Sequence, residues 1–224
     1  MEAALLVPVL VFSFMVHELA HAWQARREGD DTPEKDGRIT LNPLAHVDPI
    51  GSFVVPILLF FSGTGILFGW ARPVMVNPSN YRSPVWGDIR VSLAGIVANF
   101  ATALVVTLLM GLVTWAGAET EPGSSAAGAY DLVSLILPYT LLLNLVLAVF
   151  NLIPIPPLDG SHVVSHMLPE GIRGAYKRAG PIAFVLLIAA LYLGRFVGLD
   201  LFSILFWPVR ALQDLALVFV SLWI

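Results

Sequence analysis

Long apolar runs constrain this chain more than any other feature. Residues 4–25, 91–113 and 132–152 are each long enough to carry a helix through the roughly 30 Å hydrocarbon core of a bilayer, and 181–198 is nearly so. Lipid offers no hydrogen bonds, so a run of this kind must satisfy its own backbone, which a helix does. The composition agrees. The 224 residues are 57% apolar and 12% charged, with mean hydropathy +0.81, too apolar for an ordinary soluble domain. A net charge of −4 leaves no footprint for nucleic acid, and the lack of cysteine excludes a disulfide framework and a thiol nucleophile. The expectation is an all-α polytopic membrane protein with about five to six transmembrane helices. It forms one membrane-embedded domain over 1–224, without repeats. The first run lacks a basic lead, so it reads as a retained helix rather than a cleaved signal.

Charge sets the orientation. Arg26, Arg27, Lys35 and Arg38 crowd residues 26–50, and Arg72, Arg82 and Arg90 mark 69–90. Both loops are expected in the cytoplasm, with the amino terminus outside. Residues 115–130 hold Glu119 and Glu121 but no Lys or Arg, and fit an outer, mobile loop. Two successive cytoplasmic loops cannot flank one full span. A re-entrant element after the first helix resolves this: a short helix enters from about residue 52, and extended, strand-like chain returns through 66–76. The competing reading is an ordinary span with weak charge bias. Residues 201–224 are interrupted by Pro208, Arg210, Gln213 and Asp214, and read as a broken span or an interfacial helix.

The chemistry begins at His17-Glu18-Leu19-Ala20-His21. On a helix the two imidazoles lie one turn apart on one face and can share a metal ion, with Glu18 in reach of a metal-bound water. Ionisable groups at membrane depth also point to function. Asn151-Leu152-Ile153-Pro154-Ile155-Pro156-Pro157-Leu158-Asp159-Gly160 breaks a helix on the same side. Asp159 is either a third metal ligand or the cap of a helix after Gly160; beside the histidine pair, the ligand reading prevails. Asn99 reads equally as an interhelical hydrogen bond or a catalytic amide. His46 and Asp48 could be ligands or proton-handling groups, but the preferred reading is a solvated loop histidine bonded within its own turn. His162 and His166, again four apart, could hold a second metal, but read in preference as surface histidines or as histidines that support the ligands from behind. A water route is expected along 42–49 and 153–160.

The two metal motifs in this order resemble the site-2 protease family of intramembrane zinc metalloproteases. Arg38-Ile39-Thr40-Leu41-Asn42-Pro43-Leu44-Ala45-His46 and Phe68-Gly69-Trp70-Ala71-Arg72-Pro73-Val74 resemble further segments of its compact prokaryotic members. The resemblance implies one Zn2+ per chain on His17, His21 and Asp159, with Glu18 activating water. It implies that Asn151 positions substrate or stabilises the oxyanion, and offers Asn99 as a further substrate group. One departure stands out: Ile96 replaces the proline of the family's Gly-Pro-x-x-Asn pattern at Gly95–Asn99. The catalytic core is expected over about 4–168, followed by C-terminal helices at 181–224, with no extra regulatory domain. The implied activity is endoproteolysis of transmembrane segments in the bilayer of the cell membrane, with the active site toward the cytoplasm. The alternatives are a catalytically silent metal-binding relative and, more remotely, a metal or proton transporter. The retained Glu18 speaks against the first. The thin supply of polar groups in 91–113 and 132–152 speaks against the second.

Overall fold

A computed structural model of the chain describes residues 2–61, 69–117 and 125–223. The described residues are helix and loop, with no strand among them. The main helices are α1 (Glu2–Glu28), α2 (Val55–Phe61, entered through a π-helical turn at Ile50–Val54), α3 (Pro84–Gly117), α4 (Ser125–Asn151), α5 (Gly160–Met167), α6 (Glu170–Leu193) and α7 (Trp207–Ser221). Four described helical stretches are long and apolar enough to cross a membrane: Leu6–Glu28, Pro84–Gly117, Ala127–Asn151 and Glu170–Leu193. This makes the chain a multi-pass membrane protein. About five to six spans were expected. Among the described residues the further apolar helices are shorter than a span; α7, with 15 residues, reaches about 22 Å.

α1, α3 and α4 pack together and frame the interior. Val9, Leu10 and Phe14 of α1 bury against Leu143 of α4 and Ala71. Ala103, Val106 and Met110 of α3 pack with Leu141, Leu145 and Val149 of α4. α7 completes this second cluster through Val209, Ala216 and Val220, so the ambiguous C-terminal run is a helix docked on α3 and α4. Pro208 opens it, where a missing N–H costs nothing.

Residues 169–180, polar in sequence and ahead of the apolar run at 181–198, form the first half of α6. Their Arg, Lys and Ala side chains favour helix, and the charges emerge from the apolar zone at one end. Two local expectations change. The expected loop 115–130 shrinks, because α3 continues to Gly117 and α4 begins at Ser125; residues 118–124 lie outside the described residues. The strand-like return at 66–76 is irregular where described, from residue 69, and 66–68 fall outside the described residues. No second strand lies alongside it, so its backbone bonds elsewhere. Trp70 N–H donates to Gly51 O at 3.1 Å, and Arg72 N–H donates to His46 O at 2.9 Å. Chain that leaves Gly51 is therefore beside it again by Trp70.

Candidate metal centre

Three donor atoms converge where α1 meets the start of α5. His17 Nε2 and His21 Nε2 are 3.0 Å apart. Asp159 Oδ2 lies 3.2 Å from the first and 3.3 Å from the second. Both histidines are buried, and among the described residues this is the one group of three or more such side chains with ligand atoms so close together. Asp159 stands at the N-cap of α5, yet its side chain makes no capping hydrogen bond. The carboxylate is turned to the imidazoles instead. Oδ2 is buried without a hydrogen-bond partner.

The opposite ring nitrogens explain why this arrangement wants a cation. His17 Nδ1–H donates to Asn99 Oδ1 at 2.7 Å, and His21 Nδ1–H donates to the Val91 carbonyl at 2.7 Å. Both acceptors are oxygens, so each ring carries a proton on Nδ1, and in the neutral ring Nε2 is then the lone pair. Two lone pairs and a carboxylate oxygen then face one another at contact distance. Such a set is repulsive alone and fits zinc: two imidazoles and one carboxylate, with a position open for water. Gly95 of α3 forms the cradle. A Cβ there would stand 2.4 Å from His21 Nε2 and 2.6 Å from His17 Cε1.

Asn99 is itself held. Its Nδ2 donates to Asn144 Oδ1 at 3.1 Å, and Asn144 Nδ2 donates to Ser13 Oγ at 2.9 Å and Thr140 O at 2.8 Å. Ser13 Oγ–H ends the chain on Val9 O. All of these side chains are buried. Ile96 beside this network is buried too, and α3 passes unbroken through residues 95–99.

Glu18 points to the returning segment. Its Oε2 accepts the Val74 N–H at 2.8 Å. Arg38 is buried nearby, with its guanidinium on the carbonyls of Ala45 and Arg72. Burial and the Arg72 charge push Arg38 below its ordinary pKa, and the charge of Glu18 draws it back up.

Residues 125–194 match the profile of peptidase family M50. The candidate zinc metalloprotease YwhC of Bacillus subtilis is 39% identical over 217 residues, covering 91% of this chain and 93% of its own. The chain belongs to peptidase family M50. This is the site-2 protease family expected from the motifs. The candidate zinc metalloprotease Rip2 of Mycolicibacterium smegmatis is 32% identical, over 88% of this chain and 70% of its own. Rip2 of Mycobacterium tuberculosis H37Rv is 29% identical, over 87% and 69%. No solved structure matches.

Within this M50 chain, Asn151 lines a chamber of about 660 Å³ that reaches His17. Its Nδ2 also donates to Leu147 O at 2.9 Å. Phe14, Trp70, Phe150, Phe184 and Phe206 help wall this chamber, which is apolar. The expected polar route is not this space: Pro157 and Leu158 line it, but residues 42–49 do not. His46 is buried rather than solvated, and bonds Thr40 O within its own loop at 3.1 Å. Asp48 accepts the N–H groups of Ile50 and Gly51 at the turn into α2. The sequence reading did not place Gly95, Asn144, Ser13 or the Val91 carbonyl at the centre. The first had a signal: Asp88, Ser92, Gly95 and Asn99 recur at helical spacing on one face of a run that is apolar elsewhere except at Arg90. A backbone carbonyl leaves no such trace.

Proposed function

We propose that the chain is a zinc-dependent intramembrane endopeptidase that cleaves transmembrane segments of other membrane proteins. The observation that carries this reading is the convergence of His17, His21 and Asp159 at 3.0–3.3 Å beside Glu18, at the wall of an apolar chamber. His17 and His21 Nε2 and Asp159 Oδ2 would hold one zinc ion per chain. Zinc, when bound, lowers the pKa of a coordinated water and polarises a carbonyl.

The rest is the work of side chains. Glu18 follows His17 directly, and Val74 N–H holds one of its oxygens. The other takes the proton of the attacking water and returns it to the leaving amine. Asn151 keeps a second N–H on Nδ2 to donate to the developing oxyanion. Asn99 bonds the far nitrogen of His17 and gives its own N–H to Asn144, so it orients the ligand rather than touching substrate. A substrate helix must unwind to present a carbonyl. The chamber accepts the apolar side chains this frees, and the chain at 69–77 lies along the route. The return of Trp70 to Gly51 supports the re-entrant element expected from about residue 52 with its return through 66–76.

The whole of 1–224 acts as one domain, with the core at about 4–168 and the later helices as its wall. The clustered Arg and Lys residues after α1 support an active site toward the cytoplasmic side of the cell membrane, with the amino terminus outside.

The test compares the full chain with Glu18→Gln in detergent or liposomes, using a single-pass membrane substrate and zinc analysis of both proteins. The expected result is equal zinc and a loss of cleavage of roughly a hundred- to ten-thousand-fold in the variant. Zinc in both without cleavage by either, across a broad substrate panel, would instead favour a silent metal-binding relative.

A further inference from the structure

One face of α3 serves both halves of the metal centre. Asn99 and the Val91 carbonyl hold the two histidines of α1, and Gly95 leaves them room. Asp88 lies one turn before Val91 on the same face and is only 5% exposed. Its Oδ2 accepts His162 Nδ1–H at 3.1 Å and His166 Nε2–H at 2.7 Å. These histidines sit one turn apart on α5, the eight-residue helix that starts directly after Asp159.

Asp159 inherits its place from α5. Its Oδ2 has no hydrogen bond of its own, and the chain before it, 152–158, is a series of turns. The far end of α5 is tied to α6, where Arg173 donates to Ser165 O at 2.8 Å and Leu168 O at 3.2 Å. The link toward the helix that steadies His17 and His21 runs through Asp88.

We infer that Asp88 is a positioning residue for the metal centre: through His162 and His166 it fixes α5 on α3, and so sets where Asp159 presents its carboxylate to the histidine pair. The inference rests on the reading of His17, His21 and Asp159 as one metal site. A short helix with its first residue at a ligand is a lever. Loss of the clamp lets α5 shift on α3, and a ligand displaced by a fraction of an ångström binds less well.

The experiment titrates zinc against a chromophoric chelator with the purified full chain in detergent. Asp88→Ala should weaken zinc binding by about 10- to 100-fold. Asp88→Asn keeps an acceptor oxygen and should fall between it and wild type. His162→Ala with His166→Ala should match Asp88→Ala, and the triple variant should be no weaker than either. Val209→Ala, which opens a cavity in the α3–α4–α7 cluster, should lower Tm yet leave zinc affinity within about twofold. Wild-type affinity in Asp88→Ala overturns the inference. So does a triple variant whose loss is the product of the separate losses. If Asp88→Ala does not fold, Asp88→Asn decides, and a Kd equal to wild type overturns it. Failure of the wild type to bind zinc is a different result, and removes the metal reading itself.

Discussion

The protein contains the same three-residue composition twice. His17 and His21 lie one turn apart on α1 and face Asp159; His162 and His166 lie one turn apart on α5 and face Asp88. In each, both rings approach one carboxylate oxygen, at distances between 2.7 and 3.3 Å. The difference lies on the outer side of the rings. Around α1, Asn99 and Val91 take the Nδ1 protons, so bare nitrogens face the carboxylate. Around α5, His166 Nδ1 is buried with no partner, and the ring N–H groups point at Asp88. The first group turns ring nitrogens and a carboxylate oxygen on one point, which suits a cation; in the second, ring protons face the carboxylate. The acceptors behind the rings make the difference.

The harshest way to break this contrast is to close the space in front of the first pair. Gly95→Ala brings a methyl group to 2.4 Å from His21 Nε2 and 2.6 Å from His17 Cε1. Alanine favours helix over glycine by about 1 kcal/mol, so α3 itself should persist. The rings must move apart. Bound zinc measured by elemental analysis should fall to background, with helix content by circular dichroism unchanged. Full zinc in this variant would mean that the rings have slack the packing does not suggest.

A milder change removes one outer acceptor. Asn99→Ala leaves His17 Nδ1–H buried without a partner, and frees its proton to move to Nε2. The first pair then resembles the second. Zinc affinity should drop by about 10- to 100-fold, read by chelator competition. Stability should fall by about 1–3 kcal/mol from the orphaned groups of His17 and Asn144, read by thermal unfolding. A variant with wild-type zinc affinity would show that the outer acceptor is not what distinguishes the pairs.

This also marks what the sequence made legible. The apolar runs disclosed the helical membrane fold, because lipid forces long runs to satisfy their own backbone. The i,i+4 spacing of His17 and His21 placed them on one face, and the proline-broken stretch before Asp159 marked the second half of the centre. Their convergence on one point needs the packing of α1, α3 and α5, which no local pattern encodes. Helix bounds suffered where composition misled: the charged stretch before Pro181 is helix, and the Ala-rich stretch after residue 125 is helix rather than loop. The sequence left His162 and His166 as surface histidines or supports behind the ligands. Their partner, Asp88, is 74 and 78 residues away in the chain, and only the fold names it.

The finest test counts metal ions. If proton position separates the two clusters, His162→Ala with His166→Ala should not change the number of zinc ions per chain at saturating zinc. The variant binds its one ion more weakly if the clamp steadies α5, but it still binds one. The wild type should therefore also hold one equivalent, not two. To take a second ion, both rings at Asp88 would have to lose a proton or turn over, and His166 would turn a buried N–H toward a site that offers it no acceptor. A wild type with two equivalents, and a variant with one, would show that two imidazoles and a carboxylate recruit zinc whatever lies behind them. The contrast between the two clusters would then have to be sought in solvent access, where His162, with its side chain 41% exposed, differs most from the buried pair on α1.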